Sequence, residues 1–254
     1  MKKTTLHNLS SEVRHCNPES PFESALELYR DSKVNVHYAP FEHINRKAKI
    51  VLCGITPGKT QAIEALSIAK THLISGSSIE LAQEKAKAAA SFKGLRDRLV
   101  EMLDLVGLNM RLGIDSSADL FGAKSDIVHY TSALRYPVTR DNGDNYNGAP
   151  KLESIDYLVS MLDTYLAEEI RAVGPDCLWL PLGKQADEAL RYMVKTGHLK
   201  DAQLLSGLPH PSGSNQERIK YFLGKKAKAE LSRKVNPDKM DANKAALIAK
   251  VRAA

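Results

Sequence analysis

Residues 49–61 read KIVLCGITPGKTQ, an apolar run that ends in a turn of glycine, threonine and proline. Ile50 to Cys53 have the continuous apolar character of a short strand buried on both faces. The turn after it contains Gly58-Lys59-Thr60 and invites comparison with a nucleotide-binding loop. That loop needs G-x-x-x-x-G-K-[ST], so that successive backbone N–H groups wrap a phosphate. Here Gly54 stands four residues before Gly58, Cys53 occupies the required glycine, and Pro57 has no N–H to donate. No apolar strand ends in a clear magnesium-binding aspartate. The turn therefore serves a different chemistry.

Working outward, TQAIEALSIAKTHLISGSSIELAQEKAKAAAS (60–91) is helix-prone and interrupted at SGSS. Phe92, Leu95, Leu99, Met102, Leu103 and Val106 then recur at helical spacing. SDIVHYTSALRYP (125–137) predicts a second strand, and TRDNGDNYNGAP (139–150) a polar loop. That loop is not a calcium loop, because Tyr146 and Leu152 stand where glycine and glutamate are required. Ile155, Leu158, Val159, Leu162, Leu166 and Ile170 mark an amphipathic helix. DCLWLPLG (176–183) predicts a third strand, KQADEALRYMVKTG (184–197) a helix, and AQLLSGLPHPS (202–212) a short fourth strand. SNQERIKYFLG (214–224) opens a helix with Ser214 and Glu217 at capping-box spacing. Residues 1–46 read as an irregular or partly helical lead-in, with SPFESALELYR (20–30) a short helix.

Strands alternating with helices imply a parallel sheet covered on both faces. The expected fold is α/β, a three-layer α/β/α sandwich with a mostly parallel, roughly four-stranded central sheet. One domain is expected over 1–223, its core at about 41–223, followed by a basic helical tail over 224–254.

Composition sets the outer limits. Of 254 residues, 43% are hydrophobic and 26% charged, ordinary values for a globular protein. No apolar run approaches the roughly 18 residues of a membrane span, and MKKTTLHNLSSEVRH lacks the apolar stretch of a secretory signal. Cys16, Cys53 and Cys177 are scattered, which argues against a disulfide framework or a four-cysteine cluster. These features predict a cytoplasmic protein with no membrane contact. The net charge of +6 is concentrated: from Glu217 onward eleven Lys and Arg face four Asp and Glu, while the rest is nearly neutral. A basic tail on a neutral body suits a polyanion such as nucleic acid, or serves solubility alone.

Ligands of open α/β sheets bind beyond the carboxyl ends of the strands. GITPG (54–58) and HPSGSN (210–215) both fall there, each between a strand and a helix, so both are expected to face one crevice. Pro57 and Pro211 stiffen the turns, and Gly58 permits close backbone approach.

The pairing of GITPG after the first such strand with HPS after the last resembles the signature of the uracil-DNA glycosylase superfamily, G-x-[DN]-P-[GY] with [HN]-P-S. The likeness runs from Phe41 to Leu223 and includes SFKGLRDRLVEMLDLVGL, YTSALRYP and LWLPLGKQA. It implies hydrolysis of the N-glycosidic bond of a base flipped out of DNA. His210 matches the histidine that donates to the base oxygen as charge develops. Thr56 stands where Asp or Asn orients the attacking water, and a threonine hydroxyl cannot take a proton at neutral pH. Ser132 stands where an asparagine reads the uracil edge, which puts uracil specificity in doubt and suggests room for a larger base. Phe92 matches the aromatic on which the base stacks, with Tyr130 and Tyr136 as fallbacks; Gly54 and Ile55 are expected to bind the base as well, with backbone groups of Ile55 to Gly58 able to cradle water and base.

Contacts to DNA, single- or double-stranded, are expected from Pro57, Gly58, Lys59, Pro211, Ser212, Gly213, Ser214, Arg218 and Lys220. Residues 61–90, approximately, are a segment without counterpart in the most compact members that could form a lid or a DNA-reading element. The cysteine ligands of the superfamily's iron–sulfur branch are missing, so no metal and no cofactor is expected. No lysine is clearly placed for a Schiff base, so a monomeric, monofunctional enzyme leaving an abasic site is expected. Two alternatives stand beside it: a defence enzyme excising a modified base from phage DNA, and a DNA-binding module of the same fold without chemistry.

Overall fold

The computed structural model describes residues 4–253. A short helix, α1 (Ser10–His15), and one 3-10 turn lead into β1 (Glu27–Arg30) and β2 (Val34–His37). Next come β3 (Ile50–Gly54), α2 (Lys59–Ile74), α3 (Ile79–Ala90), α4 (Arg96–Leu105) and α5 (Leu108–Leu112). β4 (Val128–Ser132) and β5 (Val138–Arg140) precede α6 (Asp156–Met161), which continues through a π-helical stretch into α7 (Ala167–Val173). The chain closes with β6 (Leu178–Pro181), α8 (Lys184–Lys195), α9 (Gln216–Phe222) and α10 (Pro237–Ala253).

The fold is α/β with two small sheets. In one, β3 lies between β4 and β6. β3 and β6 are parallel, with Ile50 opposite Leu178 and Cys53 opposite Pro181. β3 is buried along its whole length, which is why its sequence is continuously apolar. The fourth strand expected at 202–212 is reduced to one parallel bridge, Leu204 with Trp179. Ser206, Gly207, Pro209 and Pro211 follow directly, and such residues do not sustain a ladder.

The other sheet, antiparallel with order β1-β2-β5, corrects the reading of the lead-in. SPFESALELYR holds a 3-10 turn at Ser24–Leu26 and then a strand, not a helix. Asp31 turns the chain by accepting from the N–H groups of Lys33 and Val34, both at 2.7 Å. β2 is then buried throughout and pairs with β5 through Val34–Arg140 and Val36–Val138. Tertiary pairing here overrides a helix-prone composition. The capping box expected at Ser214 and Glu217 is also absent. α9 begins at Gln216, and the Glu217 carboxylate instead accepts from the Ser232 N–H at 2.9 Å and from its hydroxyl at 2.6 Å.

Two compact units make up the chain, one of Met1–Ile44, Gly54–Lys93 and Tyr130–Ala172, the other of Asn45–Cys53, Gly94–His129 and Val173–Ala254. In the second, α10 is not a free tail: Leu247 and Val251 are buried, and Lys244 Nζ donates to Phe222 O at 2.6 Å.

His37 in the first unit gives a pH prediction. It is 2% exposed, stacks on Phe22 at 4.7 Å, and its Nδ1 is buried without a partner among the described residues. Burial depresses its pKa to about 4. Below pH ~6.5 the unfolded chain takes up a proton that the folded ring refuses. Stability from this group is therefore present above that pH and is lost as pH falls toward 4, by roughly 3 kcal/mol at ~1.36 kcal/mol per pKa unit. His37→Phe keeps the stacking and should flatten this acid limb in urea titrations from pH 7 to 4. An unchanged limb would show that the loss comes from other groups.

Candidate functional site

In the first unit the β3–α2 turn is held by partners outside the motif. Thr56 Oγ1 donates to Tyr136 O at 3.1 Å and accepts from Val138 N–H at 2.9 Å. Its proton and one of its two lone pairs thus fasten the turn to the start of β5. Gly58 N–H donates to Gln61 Oε1 at 3.0 Å, and Lys59 N–H to Asn145 Oδ1 at 3.2 Å. The first amides of α2, which a phosphate would use, already have internal acceptors. The Lys59 side chain is exposed.

At the end of β3 the structure brings Gly54, Phe92 and Ser132 together. A Cβ on Gly54 would lie 3.4 Å from Ser132 Oγ and 3.7 Å from Phe92 Cε1, so the glycine lets both side chains close over the strand end. Gly54 O and Ile55 O accept from Ala133 and Leu134 N–H at 2.8 and 2.9 Å, which fixes the strand ends together and uses the Ile55 carbonyl. The Phe92 ring meets Tyr130 edge-on at 6.1 Å. Among the described residues Phe92 is the one non-glycine with a left-handed backbone, φ 54°, a conformation that costs of order 1–3 kcal/mol and tends to cluster at ligand sites.

Phe92 and Ser132 border a recess also lined by Phe41, Pro57, Gln61, Lys87, Ser91, Thr131 and Arg135. Its volume is about 10 Å³, room for about one water. The wider pocket expected from serine at 132 is therefore not open, because the Phe92 ring and its neighbours close the space. Lys87 and Arg135 are recess residues that sequence reading missed. A lysine on an Ala-rich helix and an arginine before a tyrosine give no sign of burial.

In the second unit His210 is set by two contacts. Its Nδ1 accepts from Ser212 N–H at 3.2 Å, which leaves the proton on Nε2 as a donor. Burial lowers its pKa and keeps the ring neutral. Behind it, Gly183 has φ 87°, and a Cβ there would fall 2.7 Å from His210 Cβ. The β6–α8 turn therefore presses its backbone against the histidine. Ser212 and Ser214 share a hydroxyl hydrogen bond at 2.9 Å, and Arg98 Nη1 reaches Pro211 O at 3.5 Å. Gly213 is exposed and starts the one 3-10 turn that leads into α9. Arg218 donates to Asn215 Oδ1 and Lys234 O at 3.0 and 2.8 Å, so its guanidinium braces the loop, while Lys220 is exposed. His210 also borders a groove of about 720 Å³ with Arg191, Leu208, Lys239 and Asn243.

The two turns that sequence placed on one crevice thus belong to different units, Gly54–Lys59 to the first and His210–Ser214 to the second. The tail's charge is partly neutralised within its own unit, with Lys225 paired to Glu101, Lys226 to Glu217, Lys228 to Asp238 and Lys250 to Asp201. No helix among the described residues is long and apolar enough to cross a membrane, and no cluster of three His, Cys, Asp or Glu among them could hold a metal ion.

No family model matches the chain. Over 233 residues it is 35% identical to the uncharacterized protein YoxB of Bacillus subtilis (strain 168), covering 89% of this chain and 90% of YoxB. The chain belongs to the same family as YoxB.

Proposed function

We propose that this protein is a DNA glycosylase with a uracil-DNA glycosylase-like α/β/α core. It hydrolyses the bond between deoxyribose and a damaged, deaminated or modified base and leaves an abasic site. The observation that carries the reading is the state of His210: a neutral ring, one nitrogen occupied by Ser212 N–H, the other protonated and available to donate. In the reaction the C1′–N bond breaks with its electron pair on the base. His210 Nε2–H donates a hydrogen bond to the base oxygen where that charge collects, water adds to C1′, and the proton that water loses passes through solvent to the departed base anion. A neutral imidazole donor needs no proton transfer to act in this way.

Within the first unit, the resemblance assigns Phe92 and Ser132 at the recess to contact with a base. The Ser132 hydroxyl has no hydrogen-bond partner among the described residues and is the group offered to the base edge. Entry of a base requires the Phe92 ring to move, and release of its left-handed backbone favours that movement. Thr56 keeps one lone pair for a water but supplies no general base, which is typically worth about 10²–10⁴-fold. Turnover is accordingly slow.

The test is an abasic-site assay on single- and double-stranded oligonucleotides carrying uracil, hypoxanthine, xanthine or unmodified bases, with phage DNAs bearing modified cytosines in parallel. Alkali-labile breaks are expected at one or more modified bases. His210→Ala should cut the single-turnover rate by about 10²–10³-fold, the usual loss of one such donor. The engaged Thr56 hydroxyl favours a second reading, a DNA-binding module without chemistry. Salt-dependent binding with no breaks on any substrate would establish that one instead.

A further inference from the structure

The groove at His210 lies wholly within the second unit and has a volume of about 720 Å³, inside the range of roughly 300–1,000 Å³ usual for small-molecule sites. Leu208, Phe222 and Met240 supply apolar lining. Lys239, Met240 and Asn243 come from α10, which lies beyond the stretch that resembles the glycosylase superfamily. α10 is seated against Gly207 (φ 122°) so closely that a Cβ there would fall 2.8 Å from Asn243 O. The charges of the lining do not cancel. Glu188 is paired with Lys184 at 3.4 Å, and Asp187 accepts from Arg191 at 2.9 Å and from the Ser206 hydroxyl, so both carboxylates are answered. Arg218 has only neutral acceptors, Asn215 Oδ1 and Lys234 O, which engage two of its five N–H groups. The exposed Lys239 ammonium has no partner among the described residues. The side-chain amides of Gln185 and Asn243 also have none, and each offers donors and an acceptor together.

We propose that this groove binds a nucleotide with a terminal phosphate. Two cations without a carboxylate, Arg218 and Lys239, match a phosphate monoester, whose charge at neutral pH is about −1.5 to −2. An internal phosphodiester carries a single charge and leaves one of them unanswered. The carboxamides of Gln185 and Asn243 suit the donors and acceptors of a base edge, and the apolar lining suits its faces. The assignment holds whether or not the protein excises bases.

The test is calorimetric titration of the intact protein with AMP, GMP, CMP and UMP, the matching nucleosides and inorganic phosphate. At least one monophosphate should bind about 10–100-fold more tightly than its nucleoside, the range of hydrogen bonds to a charged group, and more tightly than phosphate alone. Lys239→Met, at an exposed position of α10, should weaken the monophosphate about 5–10-fold and leave the nucleoside unchanged, as for loss of one charge-assisted hydrogen bond. Lys239→Arg should keep most of the affinity. The side-chain amide resonances of Gln185 and Asn243 should move in NMR spectra as the monophosphate is added. Absence of binding, equal affinity for monophosphates and nucleosides, or an advantage that Lys239→Met leaves intact overturns the proposal. So does a 5′-hydroxyl oligonucleotide, all of whose phosphates are internal, if it moves the same resonances at lower concentration, because the groove then takes a strand. Monophosphate binding by a protein that excises no base keeps the groove assignment and rejects the glycosylase reading, while excision without monophosphate binding rejects the groove assignment alone.

Discussion

Replacing Arg135 by methionine should destabilise the first unit by about 3–5 kcal/mol, the cost of breaking a buried ion pair from one side. The Arg135 and Glu169 side chains are 4% and 1% exposed, and Nε donates to Oε1 at 2.8 Å. The guanidinium also lies over the Tyr165 ring at 4.7 Å and donates to Tyr165 O at 3.3 Å. Without it the Glu169 carboxylate stays in the interior with its main counter-charge gone. Nearby Glu42 adds to the burden. It is buried, its pKa is raised by that burial, and Oε2 has no partner among the described residues. The matching double variant, Arg135→Met with Glu169→Met, should recover most of the loss, since an apolar pair of similar volume is often neutral or better. Urea midpoints of the four proteins in a double-mutant cycle give the coupling directly. A single-variant loss below about 1 kcal/mol would mean that solvent reaches the pair and that it behaves like a surface bridge.

An effect on activity as large as loss of His210 is expected from Gly183→Ala, one methyl group on a residue that touches no substrate in the proposed mechanism. With φ at 87° and ψ at 172° the backbone there is in a region essentially confined to glycine, which costs an L-residue of order 1–3 kcal/mol. The added Cβ would stand 2.7 Å from His210 Cβ and 3.3 Å from its Cα and N. Two backbones cannot yield as a flexible side chain can, so the histidine loop must shift. We expect excision to fall about 10²–10³-fold, as for loss of the donor itself, with the protein folded and its DNA affinity little changed. The His210 ring resonances should move in NMR spectra whether or not the protein is an enzyme. Unchanged resonances together with wild-type excision would show that the loop absorbs the methyl group and that Gly183 does not position His210.

The apolar run at 50–53, the turn after it, the β6–α8 unit and the helices at 59–74, 79–90 and 184–195 were legible because each is a local pattern. Three or four consecutive apolar residues or a 3.6-residue period state which face is buried. They do not state against what. The sheet β1-β2-β5 was missed for that reason: its strands are three or four residues long, and β2 meets β5 more than a hundred positions along the chain.

The candidate site divides in the same way. His210, Ser132 and Phe92 could be singled out from short motifs. The partners of the Thr56 hydroxyl, the burial of Lys87 and the contact of Gly183 with His210 depend on which distant segments fold together. The sequence by itself determined strands β3, β4 and β6, the helices that follow β3 and β6 and the turns between them, since these follow from local periodicity and backbone propensity. Tertiary structure alone decided which polar groups are held by partners and which are offered to a ligand, because hydrogen bonding and desolvation depend on neighbours that a linear pattern does not specify.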